Sequence, residues 1–177
     1  AGDKLVADAN WEDFQDADAG VWKGEQFLGQ KVLRLATLIS WAEVHDMTLI
    51  LEMKCHGNRE YRSAELLASS LRKTPKANII VSSFDIDFLR YFRTFAPHIP
   101  LASVHNCFPK DIYFLKTELA IEAVHLDSDL ISTSTNVTVF HQQGIKIRAW
   151  TVNDPSRAYD LFDLGVDMVM SDYPEQI

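Results

Sequence analysis

Short aliphatic runs alternate along this chain with longer stretches in which apolar positions recur every three or four residues. The first such run, TLILEMKCH at 48–56, carries Glu52 and Lys54 toward its end. Side chains on a strand alternate between faces, so Glu52 and Lys54 share one face while Leu51, Met53 and Cys55 share the other. Two opposite charges therefore leave a buried strand together, and burying them without partners would be costly. The pattern predicts a strand over 48–54 whose end is a rim facing water, a metal or an anion. A plain Glu–Lys pair capping the strand is the simpler alternative.

Ahead of that strand, Leu35, Leu38, Ile39 and Ala42 follow helical spacing and predict a helix over 31–46. Residues 1–30 scatter Trp11, Phe14, Trp22 and Phe27 among acids and glycines without a period. They read as a turn-rich lead-in, with Asn10 capping a helical turn over 11–16. Beyond the strand the alternation is regular. Ala64, Leu67, Ala68 and Leu71 mark a helix over 58–73, and NIIVSS predicts a strand over 78–83. Phe88, Leu89, Phe92 and Phe95 mark the next helix, ended by Pro97, and a third strand follows over 99–104. A brief helix over 110–118 leads to a strand over 120–126. Asn136, Val139, Phe140 and Gln143 suit a helix stopped by Gly144, with a fifth strand over 145–152 behind it. Pro155 opens a helix running to Leu164, Gly165 ends it, and 166–170 is the sixth strand.

Strand–helix units of this kind imply parallel strands joined by right-handed crossovers, in an α/β fold. Strands apolar on both faces need helices or a closed interior around them, which leaves an open doubly wound sheet or a (β/α)8 TIM-barrel type. The open sheet usually carries a phosphate-binding glycine loop, and neither G-x-G-x-x-G nor G-x-x-x-x-G-K-[ST] is present. Polar residues instead recur at the strand ends: Glu52 and Lys54, Ser82 and Ser83, His105, His125 and Asp127, Trp150 and Asn153, and Asp172. In a barrel such ends converge on one mouth. An ordinary barrel has eight strands in about 250 residues, whereas six strands are predicted in these 177 residues. The expectation is an incomplete barrel, one domain over 1–177, with the gap filled by an upstream segment or by a second chain.

Composition narrows the function classes. Hydrophobic residues make up 47% and charged residues 24%, as in ordinary globular domains, and no apolar run reaches the length of a membrane span. A formal charge of −8 argues against broad nucleic-acid binding, so an anionic substrate needs a local cationic group or a metal. Cys55 and Cys107 have no metal or redox spacing and are expected to be buried free thiols in a reducing, cytoplasmic setting.

At this point the motifs identify a family. LEMK at 51–54, SSFD at 82–85, AWTVND at 149–154 and GVDMVMSDYP at 165–174 resemble the later strands of the glycerophosphodiester phosphodiesterases. DADAGVWKGEQFLGQKV at 16–32 is similar to that family's approach to its third barrel strand. VHLDSDLI at 124–131 and RAYDLFDLGVD at 157–167 are closest to its bacterial cytosolic enzyme. The resemblance spans essentially the whole chain. It implies metal-assisted hydrolysis of glycerophosphodiesters, such as glycerophosphocholine, to glycerol 3-phosphate and an alcohol. It also implies a divalent cation, calcium or magnesium, held by three carboxylates, and two acid–base histidines. Glu52 matches the third metal carboxylate, Lys54 the lysine that neutralises a phosphate oxygen, and Trp150 the aromatic packed on the glycerol part.

The family's His-Arg-Gly and Glu-x-Asp motifs are absent from this sequence, and so is the His-Asp pair that follows them in the family, ahead of the lead-in matched at 16–32. The expectation is therefore a chain that needs a missing N-terminal part and is inactive alone. The rival reading is a degenerate barrel that binds a phospho-ligand without catalysis. An obligate homodimer covering its open edges is a third arrangement. Other residues offer little substitution. His56, His105 and His125 read as surface or packing histidines, and none has metal-ligand spacing. Asp127 and Asp129 form D-S-D, which suits a cap or turn more readily than a cation. Asp172 reads as a turn residue, and Trp150 by itself would be core.

Overall fold

The computed structural model describes residues 6–55, 58–74 and 77–177. Its contacts group the chain into two compact units, Ala1–Met47 and Thr48–Ile177.

In the first unit, helix α1 (Trp11–Phe14) is opened by a capping box in which Asn10 and Asp13 satisfy each other's backbone, as the sequence suggests. The following segment folds around Asp18. Its carboxylate accepts the backbone N–H groups of Gly20, Val21 and Gly29 at 2.8, 2.8 and 2.6 Å. Those bonds, Gly29 first, hold its pKa below the usual carboxylate value. Gly20 is required there because a Cβ would sit 2.1 Å from the Phe27 carbonyl oxygen. Lys31 bridges back to Asp18 in antiparallel fashion, so helix α2 begins only at Leu35 and runs Leu35–Val44, four residues later than the periodicity predicts. Ile39 and Ala42 are its buried positions.

The second unit is a parallel sheet with strand order β1-β2-β3-β4-β5-β6. The strands are β1 Leu49–Met53, β2 Ile79–Ser83, β3 Leu101–His105, β4 Ala123–Asp127, β5 Lys146–Trp150 and β6 Met168–Val169. Between them run α3 Glu60–Leu71, α4 Ile86–Phe95, α5 Ile112–Thr117, α6 Ser134–His141 and α7 Pro155–Asp163. Pairing continues on both sides of β6: Asp167 N–H donates to the Ile147 carbonyl, Met170 N–H to Ala149, and Val152 N–H back to Met170. The order never reverses, which excludes a doubly wound sheet with its switch point. The sheet is also curled. Laid flat, β1 and β6 would lie roughly 24 Å apart at the usual strand spacing, yet residues at both strand ends line one cavity. The six parallel strands thus form an open, barrel-type wall with helices outside.

Alternation sorts the strand residues. On the inner face Ile50, Ile80, Ala102 and Ala123 pack together low in the curl. Leu101, Val124, Leu126, Ile147 and Ala149, which alternate with inner positions, are fully buried. Phe88, Leu89 and Phe92 of α4 are buried as well, and α4 packs on β2 and β3 and against α3. In α6 the buried side chains are Val137 and Phe140, not the predicted Val139 and Gln143, and Asn136 closes a capping box with Thr133 at the helix start instead of facing the core. The cysteines also depart from expectation. Cys55 is half-buried and Cys107 is exposed in the turn after β3.

Candidate active site

The rim of the curl is shaped by helix caps. Asp85 accepts from Phe88 N–H at 2.9 Å to open α4, Asp111 from Phe114 N–H at 2.8 Å to open α5, and Asp154 from Ser156 N–H at 2.9 Å to open α7. The Ser156 hydroxyl and backbone amides together keep the Asp154 pKa low. The acids of SSFD and AWTVND are therefore structural: each starts a helix within a few residues of a strand end and so keeps the rim loop short. Ser83 ties neighbouring ends together, donating to the Met53 carbonyl at 2.7 Å and accepting from Asp85 N–H at 3.0 Å.

Within this rim lies a cavity of about 440 Å³, within the range of small-molecule sites. Glu52 and Lys54 reach it from the end of β1, Ser82 and Phe84 from β2, His125 from β4, and Trp150 from β5. Asp172 closes the far side. Lys54 Nζ stands 3.7 Å from Glu52 Oε1, with their side chains 71% and 37% exposed, so each is free to turn to another charge. An exposed pair of this kind contributes little to stability. Trp150 meets Phe84 edge-to-face with ring centroids 5.7 Å apart. Its indole Nε1 and the Ser82 hydroxyl are buried polar atoms with no partner, and both belong to cavity-lining residues. Unsatisfied buried donors are costly, which makes them natural contacts for a polar ligand.

His125 is buried on the inner face, and its pKa falls to about 3 through burial, then the Arg148 charge, then His105. Arg148, also buried, donates to His125 Nε2 at 3.2 Å and pairs with Glu122 on its other side. Asp172 is held by Asn153, whose amide donates to its carboxylate at 3.1 Å and whose carbonyl accepts from its backbone N–H at 2.9 Å.

Of the residues singled out from the sequence, Glu52, Lys54 and Trp150 line this one cavity, as do Ser82, His125 and Asp172. The others do not. His105 turns to the Ser103 hydroxyl at 2.8 Å, with burial lowering its pKa. Asp127 caps the turn after β4 by accepting from Asp129 N–H at 3.0 Å. His56 lies outside the described residues. Phe84 and Arg148 were missed by the sequence reading, although both occupy the same strand parity as their lining neighbours. Among the described residues no three His, Cys, Asp or Glu side chains gather closely enough to hold a metal ion. Glu52 beside an ammonium offers calcium a small part of the six to eight oxygens it takes, so the residues present do not by themselves fit a cation.

A singly wound, curled parallel sheet, with Glu52, Lys54 and two unpaired buried polar atoms gathered at its carboxyl rim, defines a barrel-type α/β protein with one candidate site at the strand ends. The model of the glycerophosphoryl diester phosphodiesterase family matches residues 1–176, and the chain belongs to that family. It is 24% identical over 178 residues to a glycerophosphodiester phosphodiesterase of Caldanaerobacter subterraneus subsp. tengcongensis, covering 99% of this chain and 72% of that protein. It is 27% identical to YhdW of Bacillus subtilis over 99% of this chain and 73% of that protein. An Oleispira antarctica phosphodiesterase, solved with the product sn-glycerol-3-phosphate, superposes with a TM-score of 0.92 at 25% identity, over 99% of this chain and 72% of that one. No described helix is long and apolar enough to cross a membrane.

Proposed function

We infer that this chain supplies the phosphate- and glycerol-binding wall of an enzyme that hydrolyses glycerophosphodiesters, such as glycerophosphocholine, to glycerol 3-phosphate and an alcohol. The observation that carries the reading is the convergence of Glu52, Lys54 and Trp150, from β1 and β5, on one cavity. Lys54 sets a point charge against a phosphate oxygen, where charge grows as the phosphorus is attacked. Trp150, braced by Phe84, packs on the glycerol carbons and holds the ester in register. Glu52 contributes one carboxylate to a divalent cation, calcium or magnesium, whose remaining ligands come from outside these residues, as do the acid and base. The site is completed by an upstream segment or a second chain, and in this reading the 177 residues alone do not turn over. The two unpaired cysteines fit a reducing cytoplasm.

The test joins the chain to a segment of about 70 residues, the length of two barrel units, bearing the His-Arg-Gly and Glu-x-Asp motifs. Glycerol 3-phosphate release from glycerophosphocholine is then measured with and without it. The joined protein should gain both turnover and calcium binding. Glu52→Gln should remove most of the calcium binding, and Lys54→Met should slow turnover by at least about a hundredfold, the scale of one lost charge-stabilising donor. Rapid turnover by the unjoined chain would overturn the reading. Ligand binding without turnover in the joined protein would favour the non-catalytic alternative.

A further inference from the structure

His125 is a buried histidine that the phosphodiesterase reading does not use, and its surroundings define its chemistry. The ring lies on the inner face of β4 and lines the cavity. One ring nitrogen, Nε2, faces the Arg148 guanidinium at 3.2 Å. A guanidinium can only donate, so Nε2 must accept and the ring proton must sit on Nδ1. Arg148 is in turn fixed by Glu122, below β4, so the chain Glu122–Arg148–His125 runs through the interior of the curl. No described partner occupies Nδ1. Two other unpaired donors, Ser82 Oγ and Trp150 Nε1, belong to residues lining the same cavity.

We propose that Arg148, anchored by Glu122, holds His125 as the neutral Nδ1–H tautomer, so that His125 presents a fixed uncharged donor to an oxygen of a phosphorylated glycerol ligand. Arg148 is a positioning residue, acting only through the ring. His125 binds rather than transfers protons, since its accepting nitrogen is occupied and burial resists a second proton. A neutral donor here adds directionality beside the mobile Lys54 charge, and Ser82 and Trp150 extend the donor set along the same wall. The identity of the ligand rests on the phosphodiesterase reading, whereas the tautomer does not.

The experiment is nitrogen-15 NMR of the histidine rings in the full 177-residue chain, with the His125 signals assigned from their loss in His125→Phe. The wild-type ring should show a protonated Nδ1 and a bare Nε2, unchanged between about pH 5 and pH 8, the range in which an ordinary histidine titrates. Arg148→Lys should keep that tautomer, and Arg148→Met should release it to a mixture. Titration with glycerol 3-phosphate should shift the Nδ1–H and Trp150 indole resonances, with about tenfold weaker binding in His125→Phe, the loss of one donor bond. A wild-type proton on Nε2, or a ring that titrates in that range, would overturn the proposal without touching the phosphodiesterase reading. If the ligand shifts Trp150 but binding survives His125→Phe unchanged, the donor role falls alone. If it shifts neither resonance, the donor role falls, while the phosphodiesterase reading is judged by turnover of the completed protein.

Discussion

Arg93 shows how much one side chain can organise. From the last turns of α4 its guanidinium donates to the carbonyls of Leu119 and Ala120 on one side, at 3.0 and 3.1 Å, and of Pro97 and Ile99 on the other, at 2.8 and 3.0 Å. Those four carbonyls lie in the loops that deliver β3 and β4 to the sheet, so losing the fork leaves them to find water. Arg93→Met should therefore destabilise the chain by about 2–4 kcal/mol in denaturant unfolding, on the scale of charged hydrogen bonds. Arg93→Lys should recover only part of this, since a point ammonium cannot span four acceptors. Nothing in the sequence marks Arg93, because its acceptors are backbone atoms as far as 27 residues away. Glu52, Lys54 and Trp150 were legible for the opposite reason: they sit in strings whose spacing repeats a family pattern. Ser82 and Ser83 were read together as rim residues. Strand alternation divides them, leaving Ser82 unpaired on the cavity and Ser83 as a tie between β1 and β2.

At the scale of elements, the order and type of the second unit followed from periodicity, since each helix presents an apolar stripe and each strand a short apolar run. The errors lie at boundaries and have local causes. Backbone pairing of Lys31 with Asp18 delays α2, and the capping box with Thr133 takes Asn136 out of the predicted apolar stripe of α6. The end of α2 carries its own conflict. Asp46 stands at φ +52° just beyond the helix, and Met47 N–H donates to the Ala42 carbonyl at 2.9 Å, closing a Schellman-type cap. That position favours glycine, and a carboxylate there also opposes the helix dipole. Asp46→Gly should stabilise α2 by about 1 kcal/mol relative to Asp46→Ala, read from thermal unfolding of the two variants.

At the scale of the whole second unit, burial is uneven across the sheet. All of β2 and nearly all of β3 and β4 are buried, whereas β1 is only half-buried and Met168 in β6 is 42% exposed. Both outer strands are sheet edges among the described residues. Native-state hydrogen exchange should accordingly find its slowest amides in β3 and β4 and its fastest strand amides in β1 and β6. Equal protection across all six strands would mean that the edges are covered in solution. The barrel type was legible in the sequence because polar residues recur at strand ends. The arrangement of the interior was not, since it depends on β4 and β5 setting His125 beside Arg148 across the ladder.

The contact between Phe84 and Trp150 has an optical consequence. Trp11, Trp22 and Trp41 all precede residue 48, so Trp150 is the sole indole of the second unit. With the other three replaced by phenylalanine, the indole fluorescence of the chain, excited at the red edge where tyrosine does not absorb, would come from the rim of the cavity alone. Its emission wavelength would follow whether the ring edge stays against Phe84 or is parted from it, giving the site a built-in reporter that needs no dye.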